Sequence, residues 1–221
     1  MEFTAILDFL SNMVYPLQGL SAVFGTFLVV LIFRRIAQKR FRTQAAAEAF
    51  LNDVRELLSQ RQFEQVAALC DSPPYWSKAV PQLILVALAH RERPIAKLRE
   101  LLAERFTVDV LSDIEHRLAW VNTLIKTAPM LGLQGTVLGM ISAFAKIAGR
   151  QRSGVDPSML AQDISFALWT TAIGLAIAIP LVIAGGAIHV RMGKLQDAVQ
   201  QQLAEFLEAL EAAQGGRTRR G

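Results

Sequence analysis

The side chains best suited to chemistry in this 221-residue chain are hydroxyl and amide groups embedded in long apolar runs. Gln134 and Thr136 lie in one run, and Thr170 and Thr171 lie in another. These groups can hydrogen-bond water or an ion, but they do not ionise. A proton relay inside a membrane usually needs an ionisable group, and neither run contains an acid, a lysine or an arginine. If the chain moves protons, another protein must therefore supply the carboxylate.

Small residues at helical spacing accompany these polar groups. In the first run Gly132, Gly135 and Gly139 share one helix face, and the last two form a GxxxG pair. Small residues let membrane helices approach closely. The matching stripe in the second run consists of Ala167, Thr171, Gly174 and Ala178. Two such faces predict facing helices with polar atoms between them, as a packing seam or a pore wall.

Two features qualify this pattern. Pro129 lies one turn into the first run and Pro180 lies inside the second, so both are expected to perturb their helices. A simpler role for a threonine in a membrane helix is a hydrogen bond from its hydroxyl to a carbonyl one turn back in the same helix. Periodicity does not choose between a packing seam and a pore wall.

The helices that carry these residues are predicted to cross a membrane. Uncharged runs extend over 14–33, 127–145 and 164–190, and crossing the hydrocarbon core takes roughly 20 apolar residues. The chain is 52% hydrophobic and 19% charged, whereas about a quarter of the residues are charged in typical soluble proteins. The predicted transmembrane helices are 14–33, 127–147 and 164–189.

Positive charges indicate how these spans are oriented. No lysine or arginine precedes the first span, and five follow it closely, which places its C-terminal end inside. Lys146 at the end of the second span and Arg150 and Arg152 in the short outer loop run against the rule, but they are fewer than the positive charges on the inner side. The expected segments are an outer N-terminus at 1–13, an inner helical domain at 34–126, an outer loop at 148–163 and an inner helical tail at 190–221.

The inner segments have the periodicity of amphipathic helices. Helices are predicted over Ala45–Leu58, Phe63–Cys70 and Lys78–Arg91, and Ile95–Lys126 is predicted to continue into the second span. The apolar face of the first comprises Ala46, Phe50, Leu51, Val54, Leu57 and Leu58. The tail carries a stripe for packing, formed by Ile188, Met192, Leu195, Val199, Leu203, Phe206 and Leu210. The fold class is therefore an all-α membrane protein.

Several other classes of protein are disfavoured. His90, His116 and His189 are scattered, and the sequence has no HExxH, GxSxG or Cys/His cluster, so neither an enzyme nor a metal or cofactor site is predicted. The net charge of +4 comes without a set of stacking aromatics, so nucleic-acid binding is not expected. The single cysteine, Cys70, is interpreted as a small buried core residue.

Two stretches of the chain resemble the MotA/TolQ/ExbB proton-channel family. They read APMLGLQGTVLGMISAF at 128–144 and ISFALWTTAIGLAIAIP at 164–180. The three-span layout resembles the ExbB/TolQ branch, because the flagellar stator branch has a fourth span. The resemblance covers most of the chain.

The resemblance implies an assembly and a mechanism. It implies a homo-pentamer in a bacterial inner membrane, with a periplasmic N-terminus, a cytoplasmic C-terminus and long cytoplasmic extensions of the second and third spans. The pentamer would surround a dimer of a single-span ExbD/TolR-like partner, whose aspartate enters the pore. Thr136 and Thr171 match the family's pore threonines, and Thr170 and Gln134 are expected to line the pore with them. The residues expected to pack the helices are Gly132, Gly135, Gly139, Gly174, Pro129 and Pro180.

One departure from the family pattern keeps two functions open. ExbB and TolQ carry a glutamate five residues before the third-span threonine, and this chain has Phe166 there. The nearest acid is Asp163, one turn earlier. The leading hypothesis is a subunit of a motor that couples the ion-motive force to work. The alternative is a non-conducting scaffold of the same fold. The ion, proton or sodium, and the process served, among them TonB-like import, envelope maintenance and motility, stay open.

Overall fold

The computed structural model describes residues 2–149 and 157–215, and nearly all of them are helical. No strand occurs in this described part of the chain. A π-helical turn at Thr107–Leu111 joins α5 to α6, so the helix runs from residue 95 to residue 149 without a break. The α-helices are α1 (Glu2–Lys39), α2 (Gln44–Ser59), α3 (Phe63–Cys70), α4 (Ala79–Ala89), α5 (Ile95–Phe106), α6 (Ser112–Gly149) and α7 (Pro157–Gly215).

The contacts divide the chain into two units. The first comprises Met1–Leu31 and Arg117–Ala187, and the second comprises Ile32–His116 and Ile188–Gly221. All the polar residues that the sequence singles out as candidate site residues belong to the first unit.

The first unit is built from long apolar helices. In the described part of the chain, three helical segments are long and apolar enough to cross a membrane, as the three uncharged runs predicted. In α1 one stripe is buried while large apolar side chains such as Leu20 and Val23 are 66% and 70% exposed. A helix surface of this kind suits lipid, which solvates apolar side chains without cost. Within the first unit, the buried stripe of α1 consists of Val14, Gln18, Gly25 and Leu28.

The second unit has a core of large side chains. Phe50 of α2 is fully buried, and its ring centroid lies 4.6 Å from that of Tyr75 and 5.4 Å from that of Phe41. Thr43 caps α2 by accepting a hydrogen bond from the Ala46 backbone N–H at 3.2 Å. Cys70 is buried in this core as predicted, and burial raises the pKa of its thiol to about 12.

The helices predicted in the second unit are present, with small shifts. The prediction for α2 erred on one residue of its buried face, because Ala47 is buried and Ala46 is exposed. A shift of one residue turns a side chain by about 100° around the helix. In the tail, every residue of the predicted stripe is buried except Met192, which is half-buried.

Both ends of the predicted outer loop are helical in the described residues. The loop was expected over 148–163, but α6 extends to Gly149 and α7 begins at Pro157. Proline suits the first turn of a helix, since its missing N–H would have no partner there. Arg150 and Arg152 of the predicted loop lie outside the described residues.

Candidate functional site

Helices α6 and α7 meet along a line of glycines, which we call the α6–α7 seam: Gly132, Gly135 and Gly139 of α6 against Asp163–Gly174 of α7. A Cβ atom on Gly139 would lie 2.8 Å from the Ala167 Cβ, and one on Gly132 would lie 2.8 Å from the Thr171 Cα. Real Cβ atoms essentially never come this close to another heavy atom. The glycines are therefore required for the two helices to approach this closely.

Thr170 lies in the middle of this seam. Its side chain is fully buried, and a Cβ atom on Gly135 would overlap its hydroxyl. The Thr170 Oγ1 donates within α7 to the Ala167 carbonyl at 2.7 Å and lies 3.2 Å from the Gly132 carbonyl of α6. The structure thus places this predicted pore residue inside the helix packing, where its hydroxyl faces backbone carbonyls.

The other three predicted pore residues lie nearer the surface of the unit. Thr171 is half-buried, and its Oγ1 donates to the same Gly132 carbonyl at 3.0 Å. Thr136 is half-buried and its hydroxyl donates to the Leu133 carbonyl of its own helix at 2.6 Å, while Gln134 is exposed. Thr136, Thr171 and Gln134 can therefore meet another chain or a water-filled path, and Thr170 cannot without movement of the helices.

A polar residue that the sequence analysis did not single out joins α1 to this site. Gln18 is 1% exposed, and its Nε2 donates to the Thr170 carbonyl at 2.7 Å. A Cβ atom on Gly174 would lie 3.4 Å from this Nε2 and 2.6 Å from the Ala128 carbonyl, so Gly174 is also required at the junction. The available signal was an amide within an uncharged run, four residues after Val14 on one helix face.

An ion pair lies near the end of α6 and the start of α7. The Lys146 Nζ is 2.7 Å from the Asp163 Oδ1, and the aspartate side chain is 16% exposed. The second carboxylate oxygen, Oδ2, is buried and has no hydrogen-bond partner among the described residues. Both residues of this pair belong to the first unit.

Phe166 lies one turn from this pair. Its ring meets the Tyr15 ring of α1 edge to face, with the centroids 5.2 Å apart. The position is thus occupied by an apolar contact between helices. Among residues 2–149 and 157–215, no group of three His, Cys, Asp or Glu side chains could hold a metal ion.

The two prolines lie within continuous helices. Pro129 belongs to α6 and is half-buried, and Pro180 belongs to α7 and is exposed. Neither interrupts its helix. The expected perturbation by each proline stays a prediction.

Residues 77–201 match the MotA/TolQ/ExbB proton channel family. The match covers more than half of the chain and includes the whole α6–α7 seam. The chain belongs to this family. It is thus a multi-pass protein of a channel-type family, and the predicted resemblance is confirmed.

Proteins named TolQ and ExbB are similar to this chain. The Tol-Pal system protein TolQ of Haemophilus influenzae is 33% identical over 98 residues, which are 44% of this chain and 40% of that protein. A biopolymer transport protein ExbB homologue of Methanothermobacter thermautotrophicus is 34% identical over 107 residues, 48% of this chain and 37% of that protein. The biopolymer transport protein ExbB of Helicobacter pylori is 37% identical over 78 residues, 35% of this chain and 52% of that protein. The chain thus matches about half or less of the length of each of these relatives.

Proposed function

We propose that the chain is the channel-forming subunit of an energy-transducing complex in a bacterial inner membrane, and that the ion conducted is the proton. The observation that carries this proposal is the α6–α7 seam. The seam holds hydroxyl groups inside two predicted spans, within the segment that matches a proton channel family. The names of the similar proteins, a Tol-Pal protein and biopolymer transport proteins, support the energy-transducing role.

The pore wall is proposed to consist of Thr136, Thr171 and Gln134. None of them is buried in the single chain. Gln134 and Thr136 are two residues apart, about 200° around α6, so Gln134 would line a water-filled path beside a neighbouring copy while Thr136 faces the axis. Polar side chains in membrane helices usually face a bundle interior or a water-filled cavity rather than lipid. We therefore propose a homo-pentamer with Thr136 and Thr171 toward the axis and Gln134 toward a neighbouring copy, and we assign Thr170 to the packing of each wall.

The proposed channel requires a carboxylate from another protein. Lys146 is the one charged side chain in the predicted spans, which are 14–33, 127–147 and 164–189. It is paired with Asp163. A partner of the ExbD/TolR type, with a single span and an aspartate, would supply the group that binds and releases the proton. The orientation inferred from the positive charges, with the N-terminus periplasmic and the C-terminal tail cytoplasmic, is part of this proposal.

A second candidate function is a non-conducting scaffold of the same fold. The contact between Phe166 and Tyr15 favours it, because an apolar ring pair occupies the position where the family resemblance implies a glutamate. The two functions differ in one respect that can be measured. A non-conducting scaffold would take up no protons, with or without the threonine hydroxyls.

The decisive variants are Thr136→Val and Thr171→Val, which keep the shape of the side chain and remove the hydroxyl. We expect each to assemble normally and to lower proton uptake into proteoliposomes containing the chain and its partner about tenfold, the effect of losing one hydrogen bond to a charged group. Uptake is followed with a pH-sensitive dye in the vesicle lumen.

Thr123→Val is the matched control. The Thr123 hydroxyl lies on the same helix, is exposed and donates to the Ala119 carbonyl of its own helix at 3.0 Å, as Thr136 donates to Leu133. Its removal tests the general effect of replacing a threonine by valine in α6. Uptake at the unchanged level in the double variant Thr136→Val/Thr171→Val would refute the proposed role of the two hydroxyls. No uptake by the unmodified chain with its partner would refute the conducting function and leave the scaffold.

A further inference from the structure

The buried stripe of α1 contains one polar side chain, Gln18. Its neighbours on that stripe are apolar or small, namely Val14, Gly25 and Leu28. The Gln18 side chain makes one hydrogen bond, from Nε2 to the Thr170 carbonyl of α7 at 2.7 Å, across 152 positions of sequence. This bond links α1 to the centre of the α6–α7 seam.

The chemistry of the amide fixes its orientation. Only the NH₂ group can donate to a carbonyl, and the flipped amide would place Oε1 against the Thr170 oxygen. In the observed orientation Oε1 is buried and has no hydrogen-bond partner within the described part of the chain. Because one end of the amide is bonded and the other is not, the gain and the desolvation cost largely cancel. Gln18 therefore fixes the position of α1 against α7 and adds little to the net stability of the protein.

The helices need such a positional constraint. Within the first unit α1 and α7 run in the same direction, since Tyr15 contacts Phe166 and Gln18 contacts Thr170. Lipid solvates apolar side chains as well as another helix does, so apolar packing alone holds membrane helices weakly in register. A slide by one turn, about 5.4 Å, would exchange one apolar contact for another, but it would break the bond from Gln18.

We propose that Gln18 is a positioning residue that fixes the axial register of α1 against α7. The same role is known for single polar side chains in otherwise apolar helix interfaces, which specify register at a cost in stability. The proposal rests on the geometry of the first unit and not on conduction, so it can be tested independently of the proposed function.

The rate of disulfide formation between engineered cysteines reports the register of α1 against α7. The background is Cys70→Ala, which removes the native thiol. One variant carries Tyr15→Cys and Phe166→Cys, the pair in contact, and the other carries Tyr15→Cys and Gln162→Cys, in which the α7 position lies one turn away. With Gln18 intact, the first pair should cross-link on mild oxidation in membranes and the second should cross-link far more slowly.

Replacing Gln18 should change the ratio of the two cross-linking rates. In Gln18→Met we expect the ratio to fall by about threefold to thirtyfold, the population change expected for one interhelical hydrogen bond in a membrane. Gln18→Asn, whose amide is too short to reach, should do the same. Asn12→Met is the matched control, because Asn12 is an exposed amide on the same helix and its loss should leave the ratio unchanged.

The result separates a positioning role from a purely stabilising one. Thermal stability is measured on the same variants in detergent. An unchanged ratio in Gln18→Met and Gln18→Asn would overturn the proposal, whether or not stability falls. If Gln18→Met does not accumulate in membranes, Gln18→Asn decides the outcome by the same ratio.

Discussion

The two units of this protein use opposite means to pack helices. In the second unit large side chains such as Phe50, Leu58 and Leu98 fill the space between helices and are fully buried. In the α6–α7 seam there is no space between the helices for large side chains, because glycines let the two backbones come into contact. The difference follows from the surroundings. Water drives apolar side chains into a core, whereas lipid gives no such drive, so close van der Waals contact and polar bonds must hold membrane helices.

The largest expected effect comes from shrinking a side chain in the second unit. Leu98→Ala should lower the free energy of unfolding by about 3 kcal/mol, since the change removes apolar area and leaves a cavity. Hydrogen exchange at the α5 amides measures the loss. The control is Val108→Ala, because Val108 is 59% exposed and should cost far less. Equal effects of the two changes would contradict a core held by side-chain volume.

The next effect comes from enlarging a residue in the seam. Gly132→Ala should cost about 2 kcal/mol, within the range for overpacking, because the added Cβ meets the backbone of Thr170 and Thr171, which cannot rotate away. Resistance of the purified chain to unfolding by SDS measures it. Gly186→Ala is the control, since nothing lies within 4 Å of a Cβ there. A Gly132→Ala variant as stable as Gly186→Ala would disprove close backbone packing.

The smallest of these effects concerns ion pairs in the two units. Lys146→Met should lower stability by about 1 kcal/mol, because it leaves the largely buried Asp163 without its partner at 2.7 Å. Arg55→Met in the second unit should change stability by less than about 0.5 kcal/mol, since Arg55 and Glu205 are 3.7 Å apart and well exposed. SDS unfolding of the first variant and hydrogen exchange of the second give the comparison. A larger loss of stability in Arg55→Met than in Lys146→Met would contradict this ranking of the two ion pairs.

Sequence reasoning predicted the elements of both units better than their contacts. Uncharged runs and glycine spacing are properties of one helix, so the three apolar helices and the small-residue face of α6 could be predicted. Thr170 and Thr171 are adjacent and about 100° apart on a helix; Thr171 belongs to the predicted small-residue stripe of α7 and Thr170 lies beside it. Which of them is buried depends on how α6 lies against α7, and a single-helix pattern does not contain that information.

Two other features depend on partners distant in sequence. Gln18 has no charge and lies in an apolar run, so only its contact with Thr170 reveals that it is buried and bonded. The π-helical turn at Thr107–Leu111 lies within a pattern that is helical on both sides, and inserting one residue changes the face that the rest of the helix presents. The sequence predicts that helix and its continuation into α6, but not the turn within it.

The central claim, that this chain is a channel subunit working with a partner, is tested most directly by the mass of its native complex. The tagged chain is extracted gently from its own membrane, and the intact assembly is weighed by mass spectrometry. We predict five copies of this chain with two copies of a small single-span protein that carries an aspartate near the start of its span. A pentamer alone, from cells that make such a protein, would contradict the claim and support the scaffold.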